Sequence, residues 1–251
     1  MRKPESLGPM RQYLENLLII RPGALGDTLM LLPLLEALRD RARVTAAVRR
    51  PGLEILRPHA ALCMDVEGGG WQALFEEEPD AAAGLMKTPP DKVLAFLSDP
   101  DGLVSRNLGR LFPGAHARVF PGRPLNGEAT HAALYLARCA ARAGLPVDPE
   151  ASVAGAVRVP VLKAGPYCWE RCGIVFHPGS GGLRKNLPPA FWHGLIDRIA
   201  GAGGWAGARE ITVLLGPAEE ELRREFDDRA LTRDIRVVSS PDMEALISLL
   251  G

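Results

Sequence analysis

Short apolar runs alternate with longer stretches in which apolar residues recur every three or four positions. In the first part of the chain the runs predict strands at residues 16–21, 44–48, 62–66, 92–97 and 116–120. The stretches between and after them predict helices at residues 27–39, 53–56, 71–77, 106–111 and 128–143. Pro33 lies inside the first helix and is expected to kink it or to shorten its first turns. Strands and helices that alternate in this way predict an α/β fold with a mostly parallel sheet.

A proline-bearing stretch at residues 145–169 interrupts this pattern, which starts again at residue 173. We therefore expect a first domain at residues 1–150, a linker at residues 151–171 and a second domain at residues 172–251. In the second domain the pattern predicts strands at residues 173–176, 211–215 and 235–238, each followed by a helix. Its last helix, at residues 243–250, is strongly apolar and nothing follows that could cover it. With so few elements, the second domain is expected to be incomplete.

Composition and charge exclude several classes of protein. Thirty basic and thirty acidic residues cancel, whereas a nucleic-acid-binding protein usually carries a basic excess. No apolar run approaches the roughly 18 residues that span a bilayer, and the amino terminus lacks the apolar core of a signal peptide, so a cytoplasmic location is expected. The four cysteines are too scattered for a disulfide scaffold or a zinc site, and we expect no metal and reduced structural thiols.

Two glycine-rich turns each follow a predicted strand and precede a predicted helix. The first is RPGALGDT at residues 21–28, and the second is HPGSGG at residues 177–182. Neither has the G-x-G-x-x-G pattern of a dinucleotide-binding turn, and Lys185 lacks the preceding glycine of a P-loop, so neither a dehydrogenase nor an NTPase is indicated. Together the turns suggest two nucleotide-type folds that face one cleft.

Asp27 is the most informative residue of the first turn. Gly23 and Gly26 allow the backbone to turn sharply and to approach a ligand. Asp27 and Thr28 stand where the helix begins, at the crevice in which open α/β sheets bind ligands. A carboxylate there can cap the helix, or it can act as a base in the cleft. Arg49 and Arg50, at the end of the second strand, either meet an anionic ligand or form a solvated strand end.

Three blocks of the sequence resemble the ADP-heptose:lipopolysaccharide heptosyltransferases of glycosyltransferase family nine. They are RPGALGDTLMLLP at residues 21–33, HPGSGG at residues 177–182 with Lys185 shortly after it, and VLLGPAE at residues 213–219, in the family's order. The resemblance implies a GT-B type fold of two Rossmann-like domains, with the acceptor bound by the first and the nucleotide sugar by the second. It also implies an inverting transfer of heptose from ADP-heptose, without metal or cofactor, to a lipopolysaccharide-core acceptor at the inner membrane.

The same resemblance assigns roles to individual residues. Asp27 is the general base, and the loop around it, with Gly23, Gly26 and Thr28, lies on the acceptor side. The donor-binding residues are His177, Ser180, Gly181, Gly182, Lys185 and Glu219. Lys185 is otherwise a solvated surface lysine, Glu219 is otherwise an exposed glutamate at a helix start, and His177 either belongs to the site or only ends its strand.

The sequence departs from the family at its end. The family carries an Asp-Ser/Thr-Gly-x-x-His block beyond the third strand of the second domain, and this sequence ends at Gly251. Three interpretations remain: an active heptosyltransferase-like enzyme, a truncated or non-catalytic member that binds a nucleotide or glycan, and, more distantly, a sugar-nucleotide enzyme such as an epimerase. In the second case the apolar helix at residues 243–250 favours a dimer.

Overall fold

In a computed structural model of the chain, the described residues are 15–50, 52–79, 85–124, 129–159, 161–162, 173–179, 186–201, 210–230 and 235–250. The chain divides into two compact units, Met1–Val161 and Leu162–Gly251. Each unit contains a parallel sheet with helices packed against it.

The sheet of the first unit has five strands. They are β1 (Asn16–Arg21), β2 (Arg43–Val48), β3 (Leu62–Asp65), β4 (Lys92–Phe96) and β5 (His116–Phe120). Their order is β3-β2-β1-β4-β5, and every pair is parallel. The central strand β1 is buried from its second residue onward, which explains its unbroken apolar run. The chain adds strands on one side of β1 first and then on the other, so the strand order reverses between β1 and β4.

The helices of the first unit connect these strands. They are α1 (Leu25–Leu29), α2 (Leu32–Leu38), α3 (Gly52–Leu56), α4 (Leu103–Leu111), α5 (Ala132–Arg142) and α6 (Pro149–Arg158), with a 3₁₀ helix at Trp71–Phe75. The expected effect of Pro33 is confirmed, because the helix after β1 divides into α1 and α2 and Pro33 lies in the first turn of α2. A proline costs least there, since the amide it lacks has no intrahelical acceptor.

Helix α6 corrects the predicted linker, because the chain is helical where residues 151–158 were expected to connect two domains. Asp148 caps the helix by accepting a hydrogen bond from the Ala151 amide at 2.9 Å, and Pro149 occupies its first turn. The compact first unit extends to Val161. The prolines that suggested a linker include one that begins a helix.

A buried asparagine fixes the 3₁₀ helix against α4. Asn107, on α4, is completely buried, and its amide nitrogen lies 3.2, 3.2 and 2.7 Å from the carbonyl oxygens of Ala73, Leu74 and Glu76. These carbonyls close the carboxyl end of the 3₁₀ helix, where no intrahelical donor remains. Asn107 therefore satisfies backbone groups that would otherwise be buried without partners.

An ionic cluster joins α2 to the segment after α3. Glu36 accepts hydrogen bonds from Arg39 at 2.5 Å and pairs with Nδ1 of His59 at 2.7 Å. Burial by itself would raise the pKa of Glu36, but the hydrogen bonds and charges of His59 and Arg39 outweigh it and lower that pKa from its usual 4.5. The ionised carboxylate of Glu36 therefore contributes to folding.

The second unit has a three-stranded parallel sheet in the order β6-β7-β8. Its described elements are β6 (Ile174–Phe176), α7 (Pro189–Gly201), β7 (Ile211–Leu215), a 3₁₀ helix (Pro217–Leu222), α8 (Arg223–Ala230), β8 (Ile235–Ser239) and α9 (Met243–Leu250). Ile196, Val213, Leu215 and Phe226 form its core. Met243 at the start of α9 is only 7% exposed, and Leu246, Ile247 and Leu249 are half-buried, so part of this apolar helix is covered.

Candidate functional site

A cleft of about 390 Å³ lies at the carboxyl ends of β1, β4 and β5. It is located where the strand order reverses, the usual ligand-binding position of an open α/β sheet. Residues from the turn after β1, the end of β4 and the loop after β5 form its walls: Arg21, Pro22, Gly23, Asp27, Phe96, Leu97, Ser98, Gly122 and Arg123. The topology thus places Asp27 and Gly23, both candidates from the sequence, at the edge of the sheet where a ligand is expected to bind.

The two glycines of the first turn have different surroundings. A Cβ atom on Gly23 would lie 2.4 Å from the Cβ of Asp27, so only glycine allows the chain to fold back against α1. A Cβ atom on Gly26 would meet nothing within 4 Å. Thr28 is completely buried and packs against Gly52, whose own Cβ would lie 2.6 Å from its hydroxyl. Gly23 and Thr28 therefore shape the turn, whereas Gly26 leaves open space.

Asp27 caps its helix and remains accessible. Its Oδ2 accepts a hydrogen bond from the amide of Ala24 at 3.1 Å, which satisfies a donor at the start of α1. Its Oδ1 accepts a hydrogen bond from Arg21 at 2.9 Å. The side chain is nevertheless 49% exposed and lines the cleft. The geometry therefore shows the capping role and leaves the carboxylate within reach of a ligand.

Arg21 is the residue of this site that sequence reasoning missed. Its side chain is only 3% exposed. Its Nε donates to the backbone oxygen of Asp27 at 2.8 Å, another nitrogen donates to the oxygen of Gly122 at 2.7 Å, and the guanidinium lies 5.8 Å from the centre of the Phe96 ring. Burial lowers the pKa of Arg21, although the charge and hydrogen bond of Asp27 act in the opposite direction. The sequence did contain a signal for this role. Arg21 is a charged residue at the end of a buried strand, and a buried charge requires partners.

The charges around the cleft are unequally paired. Arg49 lies 3.2 Å from Glu67 and Arg50 lies 2.9 Å from Asp65, so each arginine at the end of β2 has a carboxylate partner. Arg123, by contrast, is exposed at the wall of the cleft, and among the described residues it makes no ion pair within 4.0 Å. A ligand anion that binds Arg49 or Arg50 would therefore have to replace a carboxylate partner.

In the second unit, His177 and Glu219 lie together at the carboxyl ends of β6 and β7. Glu219 is only 5% exposed, and its Oε2 accepts a hydrogen bond from the amide of Gly216 at 2.8 Å. A Cβ atom on Gly179 would lie 2.0 Å from the Glu219 carboxyl carbon. The alternative interpretation of Glu219, as an exposed glutamate at a helix start, is therefore wrong, because Gly179 lets the chain cover this side chain.

The ring of His177 is fixed by its strand neighbour. Its Nδ1 donates to the backbone oxygen of Leu214 at 2.9 Å, which assigns the proton to Nδ1 because a carbonyl oxygen can only accept. Nε2 is thereby left as the acceptor in the neutral ring. The other predicted donor-binding residues, Ser180, Gly181, Gly182 and Lys185, lie outside the described residues.

The described part of the chain contains neither a cluster of metal ligands nor a membrane-spanning helix. There, no group of three or more His, Cys, Asp or Glu side chains is placed to hold a metal ion. No helix within the same ranges is long and apolar enough to cross a bilayer. Cys63 is partly buried and Cys139 is buried, and Cys168 and Cys172 lie outside these ranges.

The fold is shared with solved glycosyltransferases, although no protein-family model and no curated protein matches the sequence. The glycosyl transferase family 9 structure from Veillonella parvula has a TM-score of 0.64 at 15% identity, over 96% of this chain and 74% of its own. E. coli heptosyltransferase WaaC with ADP has a TM-score of 0.60 at 18% identity, over 94% of this chain and 78% of its own. WaaC with ADP-2-deoxy-2-fluoro heptose gives 0.59 at 16% identity, over 94% and 79%. These similarities confirm the GT-B type α/β fold.

Proposed function

We propose that the chain is an inverting, metal-independent glycosyltransferase of the heptosyltransferase type. It would transfer a heptose from ADP-heptose to an anionic lipopolysaccharide-core acceptor at the cytoplasmic face of the inner membrane. The observation that carries the proposal is the half-exposed carboxylate of Asp27, fixed at the cleft of a fold shared with family 9 glycosyltransferases. The structures of WaaC with ADP and with a fluorinated ADP-heptose support an ADP-sugar donor.

The proposed reaction is a single displacement. An acceptor hydroxyl in the cleft gives its proton to the Asp27 carboxylate while its oxygen forms a bond to the anomeric carbon of the donor. The bond from that carbon to the diphosphate breaks, and ADP leaves with the bonding electrons. Attack opposite the leaving group inverts the anomeric configuration. The exposed half of the carboxylate is the part that can meet the hydroxyl.

The second unit would hold the donor. We assign Glu219, at the carboxyl end of β7, to the ribose on the resemblance of its motif, since a carboxylate accepts the hydrogen bonds that ribose hydroxyl groups donate. His177 offers an imidazole edge at the end of β6 that can meet the sugar or the diphosphate. We assign the diphosphate itself to Ser180, Gly181, Gly182 and Lys185, on the resemblance of their motif alone.

The acceptor's negative charge is assigned to the Arg123 side of the cleft. Arg123 and Asp27 line the same cleft, so one acceptor can contact both. Arg49 and Arg50 are less suited, because an incoming anion would have to displace Glu67 and Asp65 from them. Replacing Arg123 by Gln should therefore raise the KM for an anionic acceptor and leave ADP binding unchanged.

The decisive experiment is a transfer assay with ADP-heptose and a lipopolysaccharide-core acceptor, followed by ADP release and product mass. Asp27→Asn is the test variant, because it keeps an oxygen that can cap α1 but cannot take a proton. Asp99→Asn is the matched control: Asp99 follows β4 and caps α4 through the amides of Val104 and Ser105 at 2.9 and 3.0 Å. Asp27→Asn should lower kcat by at least about 10²-fold, whereas Asp99→Asn should retain turnover.

The outcomes distinguish the alternatives. Absence of transfer by folded wild-type protein, together with tight ADP binding in a calorimetric titration, would replace the enzyme by a nucleotide-binding protein. Equal binding of ADP and UDP would remove the assignment of the donor base. Full activity of Asp27→Asn would reject Asp27 as the base, and loss of activity on treatment with EDTA would reject the metal-independent mechanism.

A further inference from the structure

Arg21 contacts Asp27 at two different places. Its Nε donates to the backbone oxygen of Asp27 at 2.8 Å, and its terminal nitrogen Nη2 donates to the side-chain Oδ1 at 2.9 Å. A planar guanidinium that holds a residue by both its main chain and its side chain restricts the rotation of that side chain. The Asp27 side chain also accepts a hydrogen bond from the amide of Ala24, at 3.1 Å.

The other nitrogen of the guanidinium reaches across the cleft. Nη1 donates to the oxygen of Gly122 at 2.7 Å, in the loop after β5 that also carries Arg123. The ring of Phe96, at the end of β4, lies 5.8 Å from the guanidinium carbon. Arg21 thus links the ends of β1, β4 and β5, and its own position is determined from three directions.

We infer that Arg21 is the positioning residue of the proposed base: it orients the Asp27 carboxylate toward the acceptor and balances its charge. The inference rests on the proposed function, in which Asp27 takes the acceptor's proton. A buried cation is costly unless it is paired and hydrogen-bonded. Here the partners of Arg21 are Asp27 and a backbone oxygen of the loop at the cleft, so the cation serves the site at which transfer is proposed.

Substitutions of Arg21 separate positioning from packing. Arg21→Met keeps a long unbranched side chain beside Phe96 but removes every hydrogen bond. Arg21→Lys keeps the charge but replaces the planar guanidinium with a single ammonium group. That group cannot reach the two Asp27 oxygens and the Gly122 oxygen in the same geometry. Arg21→Gln supplies a shorter neutral donor in case Arg21→Met does not fold.

The test compares kcat, KM for the donor, the Kd for ADP and the melting temperature among these variants, Asp27→Asn and the double variant Arg21→Met/Asp27→Asn. We expect Arg21→Met to lower kcat by about 10²-fold, the loss associated with a small misplacement of a catalytic group. The donor KM and the Kd for ADP should stay within about twofold of wild type, and Arg21→Lys should recover part of kcat. The double variant should be no slower than Asp27→Asn alone, because residues that act as one unit are not additive.

Two results would overturn the inference. One is a folded Arg21→Met or Arg21→Gln variant with wild-type kcat, and the other is a double variant in which the two losses multiply. Failure of the proposed function looks different: folded wild-type protein would then show no transfer at all. In that case a crystal structure of Arg21→Met tests the positioning role. If Arg21 positions Asp27, the carboxylate should move away from the Ala24 amide in this variant. If the carboxylate stays, the positioning role is rejected.

Discussion

Gly23 and Gly26 belong to one short motif, yet the structure predicts opposite consequences when each is replaced by alanine. A Cβ atom on Gly23 would lie 2.4 Å from the Cβ and 2.8 Å from the carboxyl carbon of Asp27. Real Cβ atoms essentially never come within 3.0 Å of a heavy atom of a residue that is not their chain neighbour. Because the Cβ of Asp27 is attached to the backbone of α1, a rotamer change cannot relieve this clash, and the helix has to move. Overpacking of this kind costs about 1–3 kcal/mol.

Gly26 has no such neighbour. Its added Cβ would meet nothing within 4 Å, and the residue is exposed within α1. Since alanine favours a helix over glycine by up to about 1 kcal/mol, Gly26→Ala should be as stable as wild type or slightly more stable. If the open space beside Gly26 is where substrate approaches, the same variant should transfer more slowly despite its stability.

Differential scanning calorimetry and the transfer assay test both variants against wild type. At about 2–4 °C per kcal/mol for a unit of this size, Gly23→Ala should lower the melting temperature by about 2–12 °C. An ADP titration of each variant reports on the second unit and serves as an internal control. A Gly23→Ala variant that melts with wild type, or a Gly26→Ala variant that melts several degrees lower, would refute the steric argument.

Three further predictions concern other contacts. Gly179→Ala should destabilise the second unit, because the new Cβ would overlap the Glu219 side chain. Adding Glu219→Ala removes those atoms and should recover part of the lost stability. Additive losses of the two substitutions in calorimetry would contradict this. Asn107→Asp should lower the free energy of unfolding in urea at neutral pH by at least about 2 kcal/mol, because it replaces a donor that faces three carbonyl oxygens with an acceptor. A variant with wild-type stability would be inconsistent with those hydrogen bonds. Since the pKa of Glu36 is lowered from 4.5, its stabilising contribution is present above that value and is lost as the pH falls below it. Melting temperatures should therefore fall less for Glu36→Gln than for wild type between about pH 5.5 and 3.5, and equal decreases would count against the Glu36 cluster.

Much of the fold was predictable because its central strands are buried. β1, β5 and β7 have the predicted bounds. For β1 and β7, which are buried, apolar runs bounded by polar or turn residues leave little freedom in where the strand begins and ends. Helix α6 was missed for a local reason. Asp148 and Pro149 form a regular helix start, but prolines nearby along the chain favoured a linker instead.

The site was predictable only in part, because its geometry depends on contacts between distant positions. Asp27 follows from the order of strand, turn and helix. The burial of Glu219 depends on Gly179, and the role of Arg21 depends on Gly122, which is 101 positions away. Neither relation leaves a periodic signal in the sequence, so local pattern could locate the carboxylates but could not describe what surrounds them.

Asp27 and Glu219 each cap the start of the helix on which they lie. Each carboxylate accepts a hydrogen bond from the amide three residues earlier. Folding alone is therefore sufficient to retain an acid at either position. A related protein without the proposed transfer reaction would still be expected to keep these two residues, and a motif search would score it as an enzyme. Open space beside Gly26 and the charge of Arg123 have no comparable structural purpose among the described contacts. Those two features, rather than the acids, are where the loss of activity would first become visible in a sequence.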